Sequence, residues 1–245
     1  MKKPATAGKI LSEEQLRAFL KCSELYHFGG TFSHTPKLAV TKYAYEKLVT
    51  SLIRKPEIDI AKTMVQGINE GIRKNKELED YRDQDIEQIR RGAILTLNEV
   101  LRAFPIDNYI PICGPVPCRI NISKTPIVLN ISAVFRSRNN QSIHFVDFAP
   151  YSNTHDLAWD IPTHIKIKYL STFVPAHSSR KADAVGHIFG LTDRADLSHT
   201  IIEDKTLNPK FYERAVRVVK LIEAGYHMPV LPCAFACPYK KSCKP

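Results

Sequence analysis

The 245-residue chain carries 35 Lys and Arg against 25 Asp and Glu, a formal charge of +10. Hydrophobic residues at 44% and charged residues at 24% are ordinary for a globular chain, and the length suffices for a substantial core. No run approaches the roughly 18 apolar residues of a membrane span. No Gly-x-x-x-x-Gly-Lys-(Ser/Thr) or Gly-x-Gly-x-x-Gly turn supports a nucleotide-driven motor or a dehydrogenase. The cationic excess suits a polyanion partner, because Lys and Arg that neutralise phosphates release condensed counterions. A well-solvated basic surface is the bland alternative.

Residues 1–9 read as a basic flexible tail without the apolar core of a signal peptide. The expectation is a chain in a reducing cytoplasm, where clustered cysteines hold metal more often than they form disulfides. Ser12 with Gln15 reads as a capping box opening a helix, with Leu16, Phe19 and Leu20 on one face and Cys22 after it. Helix-period apolar positions run over 41–54, 58–76 and 83–104, and Pro105, with no amide hydrogen, ends the third helix. This predicts a helical N-terminal half.

From residue 109 the pattern turns to short β-rich pieces: Tyr109–Ile112, Arg119–Ile122, Ile127–Arg136 and Ser142–Phe148, with a hairpin turn at 138–141. A short helix is expected over Ile165–Phe173 and a strand over 185–192. Asn208 and Pro209 open a closing helix, and Gly225 is its expected C-cap. His144 alternates out of the apolar face of its strand, while His155, His177 and His199 fall in expected loops. No histidine pair has metal-binding spacing, so all read as surface or satisfied residues. Cys113 and Cys118, in a Pro-rich stretch, read as two unrelated small residues rather than as ligands or a redox pair.

The C-terminal run holds Cys233, Cys237 and Cys243, separated by three and five residues. A [4Fe-4S] cluster or a structural Zn²⁺ calls for four thiolates, and Cys22 is the best candidate for the fourth.

The segment Phe211–Pro229, followed by Cys233, Cys237-Pro-Tyr-Lys-Lys and Cys243, resembles the C-terminal end of the iron–sulfur nucleases of the PD-(D/E)XK superfamily, the Cas4-like and RecB- and AddB-like nucleases. Ser12-x-x-x-Leu16-x-x-Phe19 with Cys22 matches their N-terminal end. The family has two residues between the first pair of C-terminal cysteines; here there are three. The resemblance implies an α/β fold with a restriction-endonuclease-like core, a mixed central sheet flanked by helices. It also implies a C-terminal helix and a Cys-rich metal-bound end, in a single domain over 10–245. Cys22, Cys233, Cys237 and Cys243 would hold a [4Fe-4S] cluster, with Zn²⁺ as the alternative.

Such nucleases hold Mg²⁺ or Mn²⁺ on acidic residues and use a lysine to position and polarise the attacking water. Mapped on this chain, Asp147 takes the first acidic position of the Asp/Glu-x-Lys strand and Ala149 takes the lysine's. On the preceding strand Ala133 stands where the aspartate belongs. Glu70, in Gln66-Gly-Ile-Asn-Glu70, is the local match for the upstream carboxylate. The family's nucleic-acid-contacting helix corresponds to His164–Tyr169, where Lys166 or Lys168 could reach the centre and Tyr169 could contact DNA. The expectation is a pseudo-enzyme that binds DNA or serves as an architectural subunit of a replication, recombination or CRISPR-type complex. An active Mg²⁺- or Mn²⁺-dependent DNase with a rearranged site is the second reading. A cluster-bearing subunit that touches only protein is the third.

Overall fold

The computed structural model describes residues 10–21, 35–140, 142–150, 161–173, 183–191, 197–203 and 209–226. Residues 1–9 and the cysteines at 22, 233, 237 and 243 lie outside them. The chain divides into two compact units. One combines Met1–Ser33, Pro117–Leu129 and Asn208–Pro245; the other combines His34–Val116 and Asn130–Leu207.

The second unit opens with three helices. The first, α2 (Pro36–Arg54), starts where the Thr35 hydroxyl accepts from the amide of Leu38 and Pro36 takes the first turn, where its missing N–H is no loss. The next, α3 (Ile60–Lys74), is capped by Asp59, whose carboxylate accepts from Lys62 N at 2.9 Å. The two helices touch through Gly67, where a Cβ would stand 3.0 Å from the Cα of Ala44. Only a residue without a side chain permits so close an approach. After α4 (Asp83–Ala103), Phe104 and Pro105 end the helical run.

The strands follow as β2 (Tyr109–Cys113), β5 (Ala133–Ser137), β6 (Ile143–Ala149), β7 (Ala184–Gly190) and β8 (Ser198–Glu203). They form a five-stranded sheet in the order β2-β5-β6-β7-β8. Every pairing is antiparallel except β6 with β7, which are parallel and joined through α5 (Ile161–Phe173). Side chains of paired residues share a face. The register Phe135↔His144, Ala133↔Val146, Val146↔His187 and Phe189↔His199 therefore lines one face with His144, Val146, Phe148, His187, Phe189 and His199. Phe148, Phe189 and Phe135 on this face join Tyr45, Leu48, Leu97 and Phe104 of the helices in one buried core. The ring of Tyr45 meets that of Phe148 edge-on at 5.4 Å between centroids. The opposite face carries Phe145, Asp147 and Ala149, with Ile167 of α5 against the Gly186 position.

The first unit contains β1 (Leu11–Ser12), α1 (Glu13–Lys21), β3 (Val116–Ile122), most of β4 (Thr125–Ile131) and α6 (Pro209–Glu223). Its strands run in the order β1-β4-β3, with Leu11 opposite Ile127 in parallel register. The capping box at α1 is reciprocal: Ser12 N donates to Gln15 Oε1 at 3.0 Å, and Gln15 N to Ser12 Oγ at 3.2 Å. Past the end of α6, Gly225 adopts φ 66°, the left-handed conformation that suits a residue without Cβ. The Glu223 carboxylate accepts from Thr125 Oγ1 at 2.6 Å and from Lys124 N at 3.3 Å.

Two expectations need correction. The strand expected over Ile127–Arg136 is two strands, β4 and β5, parted by a bend at Ser132; apolar alternation runs through the break, so periodicity cannot see it. His199 lies not in a loop but on β8, which the polar string Ser-His-Thr concealed. Cys113 ends β2 and Cys118 lies within β3, and neither forms a disulfide, in keeping with two unrelated residues. Among the described residues no helix is long and apolar enough to cross a membrane.

Candidate active site

Asp147 lies near the C-terminal end of β6 and is 2% exposed. Its Oδ1 accepts from Ser132 Oγ at 3.0 Å and from the amide of Phe148 at 2.9 Å. Its Oδ2 accepts from Lys166 Nζ, on α5, in a pair from which solvent is excluded. A second ammonium, Lys42 of α2, stands 3.8 Å from Oδ1. The bend at Ser132, between β4 and β5, is what turns that hydroxyl toward the neighbouring strand.

One helical turn after Lys42, Glu46 presents the second carboxyl of the site. Burial raises its pKa, and the charge of Asp147 adds to the effect. Lys42, a hydrogen bond with Ser132, and Lys166 pull the other way. The site therefore contains two carboxyls, two ammonium groups and one hydroxyl, drawn from α2, the bend before β5, β6 and α5. Two alanines adjoin it in the sequence: Ala133, opposite Val146, and Ala149, both buried.

The next face of α2 builds a separate cluster. Lys47 pairs with Glu70 of α3, Tyr43 OH donates to Glu70 Oε2 at 3.1 Å, and Lys74 Nζ donates to Tyr43 OH at 2.7 Å. Lys47 and Tyr43 hold the half-buried Glu70 carboxyl below its usual range. The partners of Glu70 are thus Lys47 and Tyr43, and the carboxyl electrostatically coupled to Asp147 is Glu46. Of the residues singled out from sequence, Asp147 and Lys166 meet directly. Lys168 is exposed and Tyr169 half-buried on the same helix. Glu46 was missed; its only sequence signal is a Lys-x-x-x-Glu pair on an amphipathic helix, and such pairs are common on solvated surfaces.

The donor set at Asp147 does not fit a divalent cation. Mg²⁺ and Mn²⁺ take carboxylate oxygens whose lone pairs are open to the ion. Both oxygens of Asp147 are engaged, one by a hydroxyl and an amide and the other by a fully buried ammonium. An ion would compete with Lys166 for Oδ2. What the arrangement does unaided is fix β6 to α5 and to the Ser132 bend.

A mixed sheet between helical layers, with one parallel crossover through α5, is an α/β fold. The particular likeness is to a provisionally assigned exonuclease from Eubacterium rectale, with a TM-score of 0.52 and 11% identity over 96% of this chain and 90% of that one. A second solved protein, SSO0001, aligns over 91% of this chain and 94% of its own with 13% identity, at a TM-score of 0.33 that carries no argument. The sequence matches no family profile and no curated protein.

Proposed function

We propose that this is a nuclease-fold protein of PD-(D/E)XK descent that binds DNA, or supports a DNA-processing complex, without cutting it. The observation that carries the reading is the counter-ion of Asp147. Where a metal-dependent nuclease presents an acidic residue to Mg²⁺, this chain presents it to Lys166. Removing one partner of such a buried pair costs about 3–5 kcal/mol, so a metal ion that displaced the lysine would work against the fold. Ala133 and Ala149, at the places of the family's aspartate and lysine, supply neither ligand nor water-positioning group. The charge of +10 supplies attraction to phosphate.

The test pairs binding with cleavage. Affinity for single- and double-stranded DNA should fall steeply between low and moderate salt, and neither substrate should be cut with Mg²⁺ or Mn²⁺. Cleavage by the wild-type chain that Asp147→Asn abolishes would establish the second reading, an active DNase. Glu46 is what favours that reading, since it gives the site a second carboxyl beside Asp147. Association with a protein partner that ignores salt, with no DNA binding, would establish a purely structural subunit.

Cys22, Cys233, Cys237 and Cys243 are proposed to hold a [4Fe-4S] cluster, with Zn²⁺ as the alternative. Four thiolates would close a loop of roughly two hundred residues, and links across long loops restrict the unfolded chain most. Binding free energy of the metal then becomes folding free energy. Anaerobically purified protein should be brown, with about four irons per chain. Colourless protein with one zinc would keep the clamp and change its metal, while metal-free folded protein would remove it. The compartment proposed is a reducing cytoplasm.

A further inference from the structure

On the core-facing side of the sheet, away from Asp147, three imidazoles stand in a row across β6, β7 and β8. His144 Nδ1 and His187 Nε2 are 2.9 Å apart, and His187 Nδ1 and His199 Nε2 are 3.2 Å apart. At the other end of the row, His144 Nε2 is 2.7 Å from Ser142 Oγ. Ser142, His144 and His187 form one wall of a cavity of about 270 Å³, with Asn140, Asp183, Val185, Ile201 and Glu203 around it.

The direction of this chain follows from its Asn140 end. The backbone amide of Ser142 can only donate, and it donates to Asn140 at 3.1 Å, so the atom it meets is the carbonyl Oδ1. That same oxygen lies 2.6 Å from Ser142 Oγ, so the hydroxyl hydrogen also points at it. Ser142 Oγ then has only lone pairs left for His144, whose Nε2 must carry a hydrogen. In the neutral ring Nδ1 is consequently an acceptor, and it accepts from His187 Nε2–H. By the same step His187 Nδ1 accepts from His199 Nε2–H. All three rings share one tautomer, and the hydrogen bonds run in one direction from His199 to Asn140.

A proton added to His144 or His187 at Nδ1 would set a donor against a donor. Added to His199 at Nδ1, it breaks no hydrogen bond among the described residues. We propose that Ser142, His144, His187 and His199 form a one-proton relay, entered at His199 Nδ1 and ending at the Ser142–His144 wall of the cavity. As the proton binds, the Nε2 hydrogen of His199 passes to His187 Nδ1, and the Nε2 hydrogen of His187 passes to His144 Nδ1. His144 is then the imidazolium, still donating to Ser142, while the other two rings are neutral in the opposite tautomer. One proton enters and one positive charge arrives beside the cavity.

The groups facing the chain suit a single charge. Phe104, just past α4, lies 4.7 Å from the ring of His187, Tyr109 of β2 lies 4.8 Å from that of His144, and Phe189 stacks on His199 at 4.4 Å. All three are uncharged aromatic rings, and the face of Phe189 that stacks on His199 attracts a cation. The cavity wall also carries the carboxyl side chains of Asp183 and Glu203. A second proton would put two cations on rings whose centroids are 5.2 or 5.4 Å apart. Burial lowers the proton affinity of all three histidines, and repulsion from its two neighbours adds to this at His187.

The test is ring-nitrogen NMR on the full chain labelled with ¹⁵N-histidine, titrated from pH 8 downward while amide signals confirm the fold. At pH 8 the three rings should all carry hydrogen on Nε2. On acidification the set should take up one proton, with Nδ1–H signals appearing on all three rings together. In His199→Gln, whose side-chain amide still donates to His187, that uptake should vanish while His144 and His187 keep their tautomer. An Nδ1–H ring at pH 8, two or more protons bound in the folded state, or uptake unchanged in the variant would overturn the relay. If His199→Gln fails to fold, the wild-type tautomers and proton count decide the matter alone.

Discussion

Lys166 of α5 donates to Asp147 of β6 in an ion pair that solvent does not reach, with side-chain exposures of 0% and 3%. The pair joins the crossover helix to the strand that precedes it, and Asp147 extends the link to Ser132. A carboxylate so placed depends on its cation. Lys166→Met should leave Asp147 buried with only Lys42, at 3.8 Å, as a counter-charge. The expected loss is about 3–5 kcal/mol in denaturant unfolding. Adding Asp147→Asn to Lys166→Met should recover a large part of it, because no uncompensated charge then remains. Losses that simply add in the double variant would show that the two side chains do not act as a pair.

Much of this arrangement was legible from residue patterns, for reasons that also explain the rest. Ser12 and Gln15 announced the start of α1 because a capping box is local chemistry, complete within four residues. Apolar periodicity located α2, α3 and α4, since each buries one face. Asp147 stood out because it matches the first acidic position of the Asp/Glu-x-Lys strand in the family that the chain resembles. Glu46 did not, since one carboxylate among the lysines of an amphipathic helix looks solvated until the Ser132 bend is seen beside it. The histidine row was invisible for a similar reason: His144, His187 and His199 are far apart in sequence and become neighbours only through the parallel and antiparallel register of β6, β7 and β8.

Glu46 makes a prediction of opposite sign to the usual surface carboxylate. Its folded-state pKa is raised, chiefly by burial. Its contribution is therefore fully present below the unfolded-state value near 4.5 and is lost as pH rises through the folded-state value. Glu46→Gln keeps the side chain's size and hydrogen-bonding capacity and removes the ionisation. The variant should gain on the wild type as pH rises from 4 to 8. Unfolding curves for both proteins across that range would show it, and a constant difference would mean that Glu46 ionises as freely in the fold as in the unfolded chain.

The contact of α2 with α3 offers a packing test. In an exposed helix Gly→Ala stabilises by about 1 kcal/mol. At Gly67 the added methyl would sit 3.0 Å from the Cα and 3.2 Å from the Cβ of Ala44, and backbone cannot swing aside as a long side chain can. Overpacking of this kind costs about 1–3 kcal/mol, so Gly67→Ala should destabilise despite its better helix propensity. Ala44→Gly in the same chain should restore part of the loss. A stabilised Gly67→Ala would show that the two helices separate at little cost.

The buried imidazole at the centre of the histidine row governs acid stability. Burial and two flanking rings press the pKa of His187 down to about 3, against about 6.5 in an unfolded chain. Between those values the unfolded state binds a proton that the folded state refuses at this site, so stability is intact above pH 6.5 and falls as the solution is acidified. A single such group gives a slope of at most about 1.4 kcal/mol per pH unit. Carboxylates titrate in the lower part of the same window, so the quantity to measure is the difference between wild type and His187→Gln. At pH 7.5 the variant should be the less stable of the two, because one amide cannot reproduce both ring hydrogen bonds. Toward pH 4 that disadvantage should shrink and then reverse. A difference that stays flat across the range would place His187 in contact with water and end the argument for its buried, neutral state.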